Sequence, residues 1–347
     1  MNSTGGGSYA RFRERTREGV LRRLQPYAAR YWKNLCNPVS LCHKLTLRCN
    51  ARCAHCDIWK SSYEDTELTT EEIRQLYVQL RRWLGPVNFV VTGGEALLRP
   101  DAIELARHAA RLGFLVEFLT NGYLLEQVAG ELACSGLNRV TISFDGIIPE
   151  TLNRVRGRDD FYERVISGVQ RLAGHRAALG ASFQIWLKTV AMRGNLSELS
   201  DIARLGARLG VEVCYQPIEQ NYAQKYDPQW YKASDLWIAE SVQAAAAFDE
   251  LTRLKGDGLP IVNTEGNLKV MSEYFMKPAE MMHKVRAHAP EEKGVVPVCG
   301  VGYFEILPWG GVKICGEGEE IGNCKDISPR EIWRRRAICW RGDCTVH

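Results

Sequence analysis

From residue 44 the chain alternates two hydrophobic patterns. Short apolar, β-branched or aromatic runs end in polar, glycine-bearing loops, and stretches with helical spacing of apolar positions follow. KLTLRC (44–49), VNFVVTGGE (87–95), FLVEFLTNG (114–122), RVTISFDG (139–146), SFQIWLKTVAM (182–192) and VEVCYQP (211–217) predict six strands, several with their following loops. TTEEIRQLYVQLRRWLG (69–85) predicts a helix, with Thr69 and Glu72 at capping-box spacing and Gly85 as its stop. PDAIELARHAARLG (100–113), closed by Gly113, and NLSELSDIARLGARLG (195–210) predict two more.

Strands alternating with helices imply parallel strands joined by right-handed crossovers, and nearly continuous apolar runs imply strands buried on both faces. The pattern breaks after residue 217. The expected fold is therefore α/β: a partial (β/α)6 barrel of TIM type rather than a closed one of eight units. The expected organisation is a basic N-terminal extension (1–43), the barrel (44–217), a helical linker or insert near its mouth (218–298) and a small C-terminal α+β module (299–347). In such folds the loops at the C-terminal ends of the strands build the site. Taken singly, TNG (120–122) is a turn signal and SFDG (143–146) a strand end. Their convergence on one mouth, with TGGE (92–95) and a cysteine loop, is what carries weight.

Composition adds limits. At 347 residues, 45% hydrophobic and 25% charged, the chain has the make-up of an ordinary globular protein, and a net charge of +4 is too small to argue for nucleic acid. Residues 1–40 carry a net +6, which leaves −2 for the remainder. Within them Leu21, Leu24, Tyr27, Tyr31 and Leu35 follow helical spacing, although Pro26 argues for a break or a start there. This segment is expected to pack across the barrel base; the alternative is contact with an anionic membrane surface or an acidic partner. The start lacks a secretory apolar region and no run reaches the roughly 18–20 apolar residues of a membrane span, so the expected location is cytoplasmic. Twelve cysteines are too few for a disulfide scaffold, and clustered thiols in a reducing compartment point to metal or redox chemistry. Cys134 and Cys214 read as small core residues, Cys36 and Cys42 as packed or free thiols.

The cluster is TLRCNARCAHCDIWK (46–60), which places Cys49, Cys53 and Cys56 in eight positions. Thiolates suit zinc, copper(I) or iron–sulfur clusters. Structural zinc asks for four ligands, and the nearby His55 adjoins Cys56, a poor arrangement for sharing one tetrahedral ion. Three thiolates on a four-iron cubane leave one iron open to a substrate or cofactor.

CxxxCxxC after the first strand, with GGE after the second, resembles the radical SAM superfamily, and residues 44–217 resemble its core throughout. SFDGIIPETLNRVRG (143–157) is similar to the version found in the branch with molybdenum-cofactor and peptide-modifying members. The resemblance implies a 4Fe-4S cluster on Cys49, Cys53 and Cys56, whose fourth iron chelates S-adenosylmethionine. Glu95, after Gly93 and Gly94, would accept from the cofactor's amino group. The TNG residues Thr120 and Asn121 would border the cofactor. Ser143 and Asp145 would face the ribose, Asn195 and Leu196 the adenine, and Arg156 the carboxylate, while His55 would stack as an aromatic does there. Reductive cleavage would yield a 5′-deoxyadenosyl radical that removes a hydrogen atom from an organic substrate, with a flavodoxin- or ferredoxin-type electron donor and no nucleic acid partner.

The tail is similar to the auxiliary-cluster modules called SPASM and twitch. The implied ligands of a second 4Fe-4S cluster are Cys299, Cys315, Cys339 and Cys344, with Cys324 as the substitute. The closing pair departs from the module's usual CxxC, being CxxxxC. The 43 residues before the barrel are short for the leader-recognition domain of many peptide maturases. The expectation is therefore a small molecule, a lipid, or a peptide presented by a separate leader-binding protein. A non-catalytic zinc-stabilised binding protein and a molybdenum-cofactor cyclase are the competing readings. Against the cyclase, the last residues are Thr345-Val346-His347 instead of Gly-Gly.

Overall fold

The computed structural model describes residues 36–61, 66–221, 224, 227–284, 302–314 and 318–336. The basic segment 1–35 and the thiols Cys299, Cys315, Cys339 and Cys344 lie outside the described residues.

Among the described residues nine strands form one sheet: β1 (Ser40–Lys44), β2 (Asn88–Thr92), β3 (Leu115–Thr120), β4 (Arg139–Ser143), β5 (Gln184–Ala191), β6 (Glu212–Pro217), β7 (Tyr303–Ile306), β8 (Gly311–Lys313) and β9 (Gly322–Asn323). Their order is β6-β5-β4-β3-β2-β1-β7-β8-β9, and every pairing from β6 to β7 is parallel. Strands β1 to β6 in consecutive order make an open, partial barrel. Its β6 edge is capped by the segment around Ile261, whose backbone exchanges hydrogen bonds with Val213 through Pro260 and Val262. The free donors and acceptors of that edge are thus covered.

Two boundaries differ from expectation. The first strand is Ser40–Lys44 instead of 44–49, because residues 45–48 peel away to bond with the next loop: Leu45 N donates to Thr92 O, Gly94 N to Thr46 O, and Glu95 N to Arg48 O. The strand therefore starts within the stretch assigned to the N-terminal extension. The C-terminal residues 303–306 also belong to the barrel sheet, pairing β7 beside β1 with Cys42 opposite Glu305.

The helices form as their patterns require. Helix α1 (Thr70–Leu84) carries the full capping box of Thr69 and Glu72, buries Ile73, Leu76, Tyr77 and Leu80, and stops at Gly85 with φ 73°. Helices α2 (Ala102–Arg111), α3 (Leu125–Ala133), α4 (Pro149–Arg156), α5 (Phe161–Ala178) and α6 (Leu199–Leu209) lie between successive strands. Beyond β6, α7 (Ser241–Gly256), α8 (Glu265–Met276) and α9 (Pro278–Lys284) build the helical insert, and α10 (Pro329–Arg335) follows β9. Among the described residues no helix is long and apolar enough to cross a membrane. Cys36 and Cys42 are buried, Cys214 is half-buried, and Cys134 is exposed at the C-terminal end of α3 instead of packed in the core.

The helix-facing side of β1 hides a polar group. His43 is fully buried, its Nδ1 2.9 Å from the Tyr77 hydroxyl, and that ring packs edge-on against Phe89 and stacks over His108. Burial holds the imidazole neutral, with its pKa lowered to about 3. In the unfolded chain it would protonate near 6.5. The native state therefore binds fewer protons as pH falls below 6.5, and stability is lost progressively down to about pH 3. One such histidine contributes about 2 kcal/mol of destabilisation by pH 5. Urea unfolding at pH 7 and pH 5 is expected to show this loss, and His43→Leu is expected to show a pH dependence smaller by that amount. An equal pH dependence in both proteins would contradict it.

Candidate active site

The site is assembled where β1, β2 and β3 end. Backbone bonds knit the loop after β1 to the loop after β2, and this contact leaves no room for side chains. A Cβ on Gly93 would lie 2.4 Å from Thr46 O, and one on Gly94 would lie 2.5 Å from both Arg48 O and Leu47 O. The two glycines are thus required by the chain's own backbone as well as by anything bound beside them.

Glu95 is 1% exposed. One carboxylate oxygen accepts from Leu97 N (3.0 Å) and the Thr120 hydroxyl (2.9 Å), the other from Asn121 N (2.6 Å). Desolvation raises its pKa, opposed by these donors. It does not border the cavity but ties the TGGE loop to the TNG loop. Asn121 carries the tie onward: its side-chain amide donates to Asn50 Oδ1 (2.7 Å) and reaches Cys49 Sγ at 3.9 Å.

At the C-terminal ends of the strands lies a cavity of about 400 Å³. Cys49, Cys53 and Cys56 all line it, together with Gly93, Gly94, Thr120, Asn121, Ser143, Arg156 and His55. Cys53 is buried, and Cys49 and Cys56 are half-buried. Burial pushes the Cys49 thiol up to about 11 and raises that of Cys56, and each thiol's neighbours include the Cys53 sulfur. Among the described residues no group of three His, Cys, Asp or Glu side chains is gathered to hold a single metal ion. The three thiols border one common space. His55 Nδ1 is sealed from solvent without a partner, and burial holds its imidazole neutral, down to about 4.

The remaining expected residues are placed differently. Asp145 is fully buried, bonded to Val190 N (2.8 Å) and ion-paired with Arg156. Asn195 is fully buried and bonds to Met192 N, Asp145 O and Val190 O. Leu196 lines a second hollow with Arg193, Glu240 and Gln243. Cys324 packs half-buried against the core, with burial pushing its thiol up to about 12.

Sequence reasoning missed the cavity walls inside the barrel. Thr141 on β4, Lys188 and Val190 on β5, and Gln216 beyond β6's centre line the cavity beside the expected Ser143, and they recur with period two along their strands. The alternation of Arg139, Thr141 and Ser143 with Val140 and Ile142 on β4 was the available signal; on β5 Trp186 and Val190 break it. Lys44 lines the cavity too, its ammonium 2.9 Å from Glu305 of β7, which also accepts from the Tyr303 hydroxyl at 2.6 Å. Only the tertiary fold brings these distant residues together. Over the mouth, Tyr274 of α8 donates to Ile218 O and packs on Trp237, which in turn meets Trp230, Tyr231 and Phe275. This aromatic cluster anchors the lip formed by residues 218–220.

Residues 44–194 match the radical SAM superfamily. The AdoMet-dependent heme synthase of Methanosarcina barkeri is 27% identical over 311 residues, covering 87% of this chain and 83% of that protein. The pre-heme d1 synthase of Dinoroseobacter shibae is 28% identical over 328 residues, covering 86% and 76%. The crystal structure of Streptococcus suis SuiB bound to precursor peptide SuiA shares the fold at 12% identity and a TM-score of 0.65, covering 91% of this chain and 69% of that one. With a three-thiol loop and a glycine-lined cavity at the strand ends of a partial barrel, residues 44–194 carry the match to the radical SAM superfamily, enzymes that use a 4Fe-4S cluster and S-adenosylmethionine.

Proposed function

We propose that Cys49, Cys53 and Cys56 hold the cluster, that S-adenosylmethionine binds beside it, and that the enzyme removes a hydrogen atom from a heme-type tetrapyrrole bearing carboxylates. The observation that carries this reading is the single cavity into which all three thiols open, beside Gly93, Gly94, His55 and Ser143. The donor set fits the group. The ligands are soft thiols, and an amide and a guanidinium donate towards the Cys49 and Cys53 sulfurs. A cluster held there would supply one electron for the reductive cleavage of S-adenosylmethionine, the step that starts hydrogen-atom removal.

The chain's own residues bind, orient and exclude water. Gly93 and Gly94 form one wall and Ser143 another, and residues 218–220 border the cavity. A cavity of about 400 Å³ is near the lower end for one drug-sized ligand. It suits the cofactor and one edge of a substrate whose body rests at the mouth. The alignment of two heme-forming relatives along most of this chain supports the substrate class. So does Lys188, a cavity-lining cation without an ion pair among the described residues, which would dock a carboxylate. A flavodoxin- or ferredoxin-type protein would deliver the electron. A second 4Fe-4S cluster on Cys299, Cys315, Cys339 and Cys344 is part of this proposal, on the strength of the sequence resemblance.

Anaerobic reconstitution with iron and sulfide, then dithionite and S-adenosylmethionine, tests the reading. Wild type is expected to release 5′-deoxyadenosine and to carry about eight irons per chain, or about four if only the first cluster forms. Cys53→Ala is expected to lose at least about 100-fold of the release, since the thiolate is a direct cluster ligand. Colourless wild-type protein holding zinc would instead favour the zinc-stabilised binding protein. Absorbance titration with a carboxylated iron porphyrin tests the substrate class. Lys188→Met is expected to weaken its binding about tenfold, the value of one charge-assisted contact. Failure of the porphyrin to bind, where a precursor peptide does, would replace the tetrapyrrole by a peptide.

A further inference from the structure

Arg156 has partners that the expected role as a carboxylate clamp does not use. It is 5% exposed at the last position of α4. One terminal nitrogen donates to Cys53 Sγ at 3.4 Å, the other pairs with Asp145, and its Nε is buried with no hydrogen-bond partner. Asp145 is itself immobilised by Val190 N, and its backbone carbonyl accepts from Asn195 Nδ2 at 2.7 Å. The backbone adds two straps from the cysteine loop to the same helix end. Arg52 N donates to Arg156 O and Ala54 N to Val155 O, both at 2.9 Å. Gly157 sits at φ 68°, where a Cβ would lie 2.7 Å from Arg52 O.

The loop that bears the thiols is therefore fastened to the C-terminal end of α4, and the fastening ends in a fixed cation against one ligand sulfur. A positive charge and an N–H donor beside a thiolate stabilise added negative charge on the cluster it ligates, and hydrogen bonds to cluster sulfurs tune reduction potential. The Asp145 carboxylate, on the far side of the guanidinium, offsets part of that charge.

We infer that Arg156 is a positioning residue that sets the reduction potential of the cluster, with Asp145 as its counterweight. The inference rests on the proposal that Cys49, Cys53 and Cys56 hold that cluster. Arg156 raises the potential and Asp145 lowers it, so the two substitutions act with opposite sign, which a merely structural role would not produce.

The full chain, reconstituted anaerobically, is titrated with reductant while the electron paramagnetic resonance signal that responds to S-adenosylmethionine is followed. Iron per chain is counted in each sample. Relative to wild type, Arg156→Gln is expected to make reduction about tenfold less favourable, a fall of 59 mV for a one-electron couple. Asp145→Asn is expected to raise the midpoint, and Arg156→Lys, which keeps the charge, to restore most of the wild-type value. Unchanged midpoints at wild-type iron content would overturn the inference. Loss of iron in all three variants from a loaded wild type would also overturn it, leaving Arg156 as loop support alone. A wild type that binds no cluster would sink the cluster assignment itself.

Discussion

One buried carboxylate holds the mouth of this barrel together. Glu95 gives up solvation entirely, and three donors from two loops compensate it: Leu97 N, Thr120 Oγ1 and Asn121 N. Its own amide donates to Arg48 O of the loop bearing the thiols. The ends of β1, β2 and β3 are thereby fixed to one another through one residue. Gly93 and Gly94 are the steric condition for this, since any side chain there would strike the 46–48 backbone.

The lumen beneath that mouth is polar in a sheet whose outer face is mostly apolar, with His43 an exception. Glu117 takes Arg139 and Thr141, Lys44 takes Glu305, and Tyr303 closes the second group. Buried charges persist only when paired and hydrogen-bonded, a condition that Lys44 and Glu305 meet. The Lys44–Glu305 pair also joins the first strand to a strand 261 residues further along the chain. The C-terminal segment thus completes the barrel wall besides whatever its cysteines bind.

The hydrophobic periods located the six parallel strands and the helices between them, because strand and helix repeats depend only on local geometry. The strand ends were less legible. KLTLRC alternates polar and apolar residues as a strand does, yet only Lys44 stays in the ladder, and the residues after it bond with Thr92, Gly94 and Glu95, a choice made by the neighbouring loop. The cysteine spacing, the glycine pair and Glu95 were all visible as letters, and Cys49, Cys53, Cys56, Gly93 and Gly94 line one cavity.

What the sequence by itself determined is the parallel α/β architecture and the set of thiols and glycines at its strand ends, since both are written in short-range spacing. What only the tertiary structure decided is which partner each polar group takes. Asp145 turns to Arg156 and Val190, Asn195 folds back on its own neighbours, and Lys44 finds Glu305. These outcomes depend on which buried donors and acceptors lie within reach once the strands are stacked, and that is a property of distances in space that spacing along the chain does not encode.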